Sequence, residues 1–274
     1  MNIEQGKMIL IRHIAQDKQQ KALELLDKPD SSKRIINPLI PYDIGTKFNN
    51  YYSTSNAICY GDALEEILNT FLQEREGYIL PKDTVPGKDC DCLFQYGNKT
   101  ILIEMKVRDD HDSTKKVGQV NNFNIKMEYL VENYDNVIGI MWFVDPTFNK
   151  NGNYYKEIIG TEKVLYGMAI EEFLRDVFGD NRCDGLFDFI VQTTIAYNQT
   201  NHTTYTESLN IDYHRLSSMQ LRNLISNRFL YKDAIKFFLG DVELQELLEY
   251  VHTLPKYQTA KEAAIILEEY INEL

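Results

Sequence analysis

Between residues 89 and 108 the side-chain pattern alternates with period two, and this stretch constrains the fold more than any other. Residues 89–96 read DCDCLFQY and residues 100–108 read TILIEMKVR, with Gly97-Asn98 between them. Alternation of this kind belongs to β-strands, whose successive side chains point to opposite faces. The pattern predicts two strands, and Gly-Asn suits the tight turn of a hairpin. In the second strand Ile101, Ile103, Met105 and Val107 share one face, and Leu102, Glu104, Lys106 and Arg108 share the other. In the first, Asp89 and Asp91 share a face, and Cys90 and Cys92 are expected on the opposite one.

The neighbours of this hairpin define the fold class. Leu64, Ile67, Leu68, Phe71 and Leu72 form one apolar stripe of a helix expected to begin near Gly61 and end by Gly77. A charged loop, Asp109 to Lys116, leads into a helix expected from about Val117 to Asn133, and Val137 to Val144 is a fully apolar strand. Helix, strand, strand, helix, strand reads as an α/β core with a mixed sheet. Outside it, residues 7–27 read as one helix, 37–57 as loop, 164–178 as helix, 192–209 as a polar segment, and 216–274 as mostly helical with breaks near Gly240 and Pro255.

Composition narrows the class of protein. The chain of 274 residues is 43% hydrophobic and 26% charged, as in ordinary globular proteins. No apolar run approaches the roughly 18 residues of a membrane helix, and the N-terminus lacks a signal-peptide pattern, so no membrane partner and a cytoplasmic location are expected. Cys59, Cys90, Cys92 and Cys183 have neither disulfide-framework nor zinc spacing and read as reduced, packed thiols. The net charge of -12 argues against a nucleic-acid partner. Its distribution weakens that argument, since residues 240–274 hold eight acids against two lysines while residues 1–60 hold eight basic residues against six acids.

The chemistry lies in Gly87 to Lys106. If the two strands pair, Asp91 and Glu104, thirteen residues apart, approach on one face, and Lys106 shares that face with Glu104. Two adjacent carboxylates repel unless a cation lies between them. Oxygen ligands with open water positions suit Mg²⁺, which can bind a phosphate oxygen and acidify a bound water. A lysine beside it can orient the attacking water and stabilise developing charge. These residues are a kit for phosphodiester hydrolysis.

The same residues resemble the PD-(D/E)XK nuclease superfamily: Asp91, then Glu104-Met105-Lys106 at the end of the apolar string Ile101-Leu102-Ile103. That string is similar to the corresponding strand of archaeal Holliday-junction resolvases, although Cys90 stands where many members carry proline. Glu65 matches the glutamate that members often carry on the helix before the first catalytic strand. Gln119 matches a glutamine on the helix after the E-x-K strand. The run Val117-Gly118-Gln119 and its helix through Tyr129 resembles type IIS restriction cleavage domains. The resemblance covers about residues 60–145 and implies a restriction-endonuclease-like α/β fold with helical N- and C-terminal additions. It implies Asp91, Glu104, Lys106, Glu65 and Gln119 as catalytic residues, Asp91, Glu104 and Met105 as the metal shell, and Mg²⁺ as cofactor.

The implied activity is that of a type II restriction endonuclease on double-stranded DNA, at least transiently a homodimer because two strands are cut. The division expected along the chain is 1–59, an N-terminal region with DNA contacts; 60–178, the nuclease core; and 179–274, a recognition or dimerisation region. Arg108, Lys115 and Lys116 are candidate phosphate contacts, and Asn198 and Asn201, in a polar run, are candidate base readers. His111 reads as a solvated loop residue. Three other readings compete: a junction resolvase or repair nuclease, a catalytically inactive DNA-binding module, and a zinc protein using Cys90, Cys92, Cys183 and His111.

Overall fold

A computed structural model of the protein describes residues 1–14, 17–40, 42–109, 112–200 and 208–273. His111 and Asn201 therefore lie outside the described residues. In chain order the helices are α1 (Ile3–Ile14), α2 (Lys18–Leu26), α3 (Pro29–Ile35), α4 (Ile44–Gln73), α5 (Ser113–Asn133), α6 (Gly152–Ile159), α7 (Ala169–Phe178), α8 (Leu186–Thr200), α9 (Ser218–Leu224), α10 (Tyr231–Leu239), α11 (Leu244–Thr253) and α12 (Gln258–Asn272). The strands are β1 (Tyr78–Ile79), β2 (Cys92–Tyr96), β3 (Lys99–Lys106), β4 (Val137–Phe143) and β5 (Val164–Tyr166).

The strands form one mixed sheet in the order β1-β2-β3-β4-β5. β1, β2 and β3 run antiparallel to their neighbours, and β3, β4 and β5 run parallel. β3 is the central strand, as the apolar run around Glu104 requires. The β2–β3 turn is the Gly97-Asn98 pair, since Tyr96 is the register partner of Lys99. Gly97 has φ 58°, a left-handed conformation that glycine adopts without steric cost.

Helices cover both faces of the sheet. On one, Cys92, Phe94, Ile101, Ile103, Met105, Ile140 and Trp142 pack with α1, the C-terminal half of α4, α7 and α8. On the other, Leu93, Leu102, Met141 and Phe143 pack with Val120, Phe123 and Leu130 of α5 and with Tyr155 and Ile159 of α6. Sequence alternation had separated these two sets along β3. Cys90 corrects one expectation: it lies with Leu93 while Cys92 lies on the opposite face. The reason is that β2 begins at Cys92, and Cys90 precedes it in an irregular segment where its N–H donates to the Lys82 carbonyl.

Other differences have local causes. Residues 44–57, read as loop from their Asn, Ser and Tyr content, are the first half of α4. Ile44, Phe48 and Tyr52, one helical turn apart, are buried, and that burial outweighs weak propensity. The single helix expected over 7–27 is two helices, α1 and α2, with Asp17 capping the second. Residues 164–166 are an edge strand rather than the start of α7, and residues 192–200 of the polar segment form the end of α8.

The chain forms two compact units, Met1–Ala15 with Ile58–His202 and Gln16–Ala57 with Thr203–Leu274. The terminal segments 1–59 and 179–274 each divide between them. The first unit holds the sheet. The second is a helical cluster in which Phe48 packs against Phe237 and Phe238. There the side chains of Gln220 and Asn223 donate to the carbonyls of Leu23 and Leu26, satisfying the end of α2. Among the described residues no helix is long and apolar enough to cross a membrane.

In the first unit α1 meets α8 at Gly6, where an added Cβ would stand 2.8 Å from Thr193 Cγ2 and 2.9 Å from its Oγ1. Thr193 is fully buried and has no room to yield. Gly6→Ala is expected to destabilise the protein by about 1–3 kcal/mol in chemical denaturation. An unchanged midpoint would mean that these helices separate without cost.

Candidate active site

The register of the hairpin builds the site. Cys92 pairs with Ile103, so Asp91, one residue earlier, lies beside Glu104. Its Oδ2 accepts the N–H of Met105 at 2.8 Å, which fixes the carboxylate against the main chain of β3. Upstream, Asn69 of α4 donates from its side-chain amide to the Asp91 carbonyl at 3.1 Å. Both sides of Asp91 are thus held by secondary structure.

Lys106 joins the two acids. Its Nζ lies 3.0 Å from Asp91 Oδ2 and 2.9 Å from Glu104 Oε1. The second Glu104 oxygen, Oε2, accepts from Lys126 Nζ of α5 at 2.5 Å. Glu104 is 3% exposed and Lys126 4%, so this pair is closed off from water. Burial by itself favours a protonated Glu104, but the ammonium groups of Lys106 and Lys126 outweigh it and hold the carboxyl below its usual range. Asp91 goes the other way: burial, then the charge of Glu104, raise it against the pull of both lysines. Burial disfavours the charged form of Lys106, yet the two carboxylates more than compensate and raise it.

Sequence reasoning did not find Lys126. The available signal was spacing, since Lys126 follows Gln119 by two helical turns and so shares its face of α5. Gly139 of β4 allows the close approach of that helix: a Cβ there would stand 2.1 Å from Met127 Sδ and 3.1 Å from Phe123 Cζ.

The other expected residues are placed as follows. Glu65 is half-buried on α4 and ion-paired with Lys82, which opens a single 3₁₀ turn, Lys82–Thr84. Burial raises its carboxyl above the usual range, and Asp91 is close enough to add to that rise. Gln119 is half-buried and its side chain makes no hydrogen bond among the described residues. The Met105 side chain lies in the core on the far face, so its main chain alone adjoins the acids. Arg108 pairs with Asp145 at 3.4 Å and lies over the Phe148 ring, and Lys116 lies over the Tyr154 ring. Lys115 and Asn198 are exposed. Asp109, not singled out from sequence, is fully buried and accepts from the Asn151 N–H, the Asn151 amide and the Tyr166 hydroxyl, anchoring the segment that follows β3.

The four cysteines are free thiols. Cys90 and Cys92 on opposite faces of the sheet cannot share a zinc ion, and no group of three or more His, Cys, Asp or Glu side chains converges among the described residues. What converges is a pair of carboxylates already sharing one cationic group. An all-oxygen pair around a cationic position fits a hard divalent ion whose remaining ligands are water.

Comparison with known proteins identifies the family. A family model described as type II restriction endonuclease, HinfI, matches residues 44–199, more than half of the chain. No curated protein and no solved structure matches. The matched span runs from the first residue of α4 through β5 and into α8, and so takes in every residue of the acid–lysine group. The chain belongs to the HinfI family of type II restriction endonucleases.

Proposed function

We propose that this restriction endonuclease hydrolyses phosphodiester bonds at a specific sequence in double-stranded DNA, with Mg²⁺ as cofactor and Asp91, Glu104 and Lys106 as the catalytic residues of a PD-(D/E)XK site. The observation that carries this reading is that one ammonium, Lys106 Nζ, lies within 3.0 Å of an oxygen from each acid. Asp91, Glu104 and the adjoining main chain of Met105 would hold the ion. When bound, Mg²⁺ supplies Lewis acidity toward the scissile phosphate and a more acidic water.

The chain's own residues do the rest. Lys106 is the more exposed of the two site lysines, and its three N–H donors can orient the attacking water or meet charge developing on the phosphate oxygens. Against the cost of burial, the two carboxylates raise its ammonium above the usual lysine range, which suits an electrostatic role. Glu65, whose carboxyl feels the charge of Asp91, and Gln119 complete the proposed catalytic set. Arg108, Lys115 and Lys116 supply phosphate contacts, and Asn198 and Asn201 contacts to bases. One site per chain and two strands to cut support a homodimer, at least transiently. Residues 60–178 serve as the nuclease core, the flanks serve recognition or dimerisation, and the enzyme acts in the cytoplasm.

Incubation with unmodified phage DNA and Mg²⁺ is expected to give discrete fragments. A chelator abolishes them, and Ca²⁺ supports binding without cutting. Binding weakens as salt rises because phosphate contacts release counterions. Smeared products, or cleavage that persists in chelator, would contradict this reading.

A further inference from the structure

Lys126 stands behind the acid pair in a way that the three-residue description leaves without a purpose. It takes Glu104 Oε2, leaving Oε1 for the side shared with Asp91 and Lys106. Its side chain is 5% exposed, against 18% for Lys106. Lys106 therefore has more room to move toward solvent or a substrate than Lys126. Two carboxylates meet two ammoniums, so the group is electrically neutral as it stands.

We propose that Lys126 is a positioning residue that orients Glu104 through Oε2 and, by neutralising one carboxylate, keeps the site's affinity for a divalent cation low until a DNA phosphate adds negative charge. The inference rests on the two-carboxylate reading above and concerns how that site is regulated. A neutral site gains two positive charges with a divalent ion, an unfavourable accumulation in a partly buried place. A phosphodiester brings the missing negative charge, so DNA and metal each promote binding of the other. Without Lys126 the group is net negative and takes a divalent ion unaided.

The test is Mn²⁺ titration of the DNA-free protein, read by loss of the free-ion paramagnetic resonance signal, on the wild type, Lys126→Gln, Lys126→Arg and Glu104→Gln. Gln keeps a donor for Oε2 without the charge, and Arg keeps the charge. Lys126→Gln is expected to bind Mn²⁺ about tenfold or more tightly than the wild type, while Lys126→Arg stays near the wild type and Glu104→Gln loses binding. A purely structural lysine would give weaker binding or no change when replaced by Gln. Lys126→Met, a neutral side chain of similar length, repeats the test if the Gln variant is poorly folded by thermal melting. Weakened binding in Glu104→Gln with no gain in Lys126→Gln or Lys126→Met overturns the role of Lys126 alone. Equal binding by Lys126→Gln and by Lys126→Gln combined with Asp91→Asn, which removes a carboxylate and keeps the fold, overturns the two-carboxylate reading and this inference with it.

Discussion

Asp91→Asn is expected to lower DNA cleavage by about a thousandfold or more while leaving the fold intact. The substitution removes charge and little else. The Asn carbonyl oxygen can still accept the Met105 N–H that Asp91 Oδ2 accepts at 2.8 Å, and Asn69 still reaches the main-chain carbonyl of residue 91. Asp91 is also the acid for which ionisation is disfavoured by burial and by its neighbour Glu104, so neutralising it relieves repulsion. The melting temperature should stay within a few degrees of the wild type or rise. Cleavage within tenfold of the wild type would remove Asp91 from the chemistry.

Glu104→Gln should behave differently, and the contrast is the second large effect. Here cleavage is lost and stability falls as well, by about 3–5 kcal/mol. Glu104 is 3% exposed and answers two ammonium groups, one of which, Lys126, has its other surroundings in the protein interior. Removing the carboxylate leaves that ammonium buried without a counter-charge, which costs more than losing one hydrogen bond. A loss of this size is a large share of the roughly 5–15 kcal/mol that holds a domain together. Adding Lys126→Met should restore most of the stability without restoring cleavage. A single Glu104→Gln variant as stable as the wild type would show that the buried pair does not exist.

The pH dependence follows the same logic. The Glu104 carboxyl is held below its ordinary value of 4.5, so its contribution to stability is complete at neutral pH and drains away as pH falls through its folded-state value. Asp91, raised above 3.8, contributes in the opposite sense, because the folded state holds its proton more tightly than the unfolded chain.

The hairpin was legible in the sequence because its signals are local. Period-two alternation separated Ile101, Ile103 and Met105 from Leu102, Glu104 and Lys106, and a two-residue turn at Gly97-Asn98 leaves one register, the one that sets Asp91 beside Glu104. The residues that complete the site were harder to find because nothing local marks them. Lys126 is one lysine among polar residues of α5, and its partner is set by how that helix lies on the sheet. Lys82 belongs to a single 3₁₀ turn, too short to leave a periodic signal. The first half of α4 was hidden for a related reason. Its Asn, Ser, Thr and Tyr residues have weak helix propensity, and the four-residue spacing of Ile44, Phe48 and Tyr52 matters only once Phe237 and Phe238 are there to cover it. Cys90 fails to follow Cys92 because alternation holds only within the strand, which begins at Cys92, one residue after Asp91.

Anomalous diffraction from crystals of the DNA complex soaked in Mn²⁺ tests most directly whether these acids hold an ion. A peak at the Asp91 and Glu104 carboxylates, with the Lys106 ammonium moved away from them, is the outcome expected. Manganese bound elsewhere, with Lys106 still clasped by both acids at saturating metal, would contradict the assignment of this group as the metal-dependent catalytic centre.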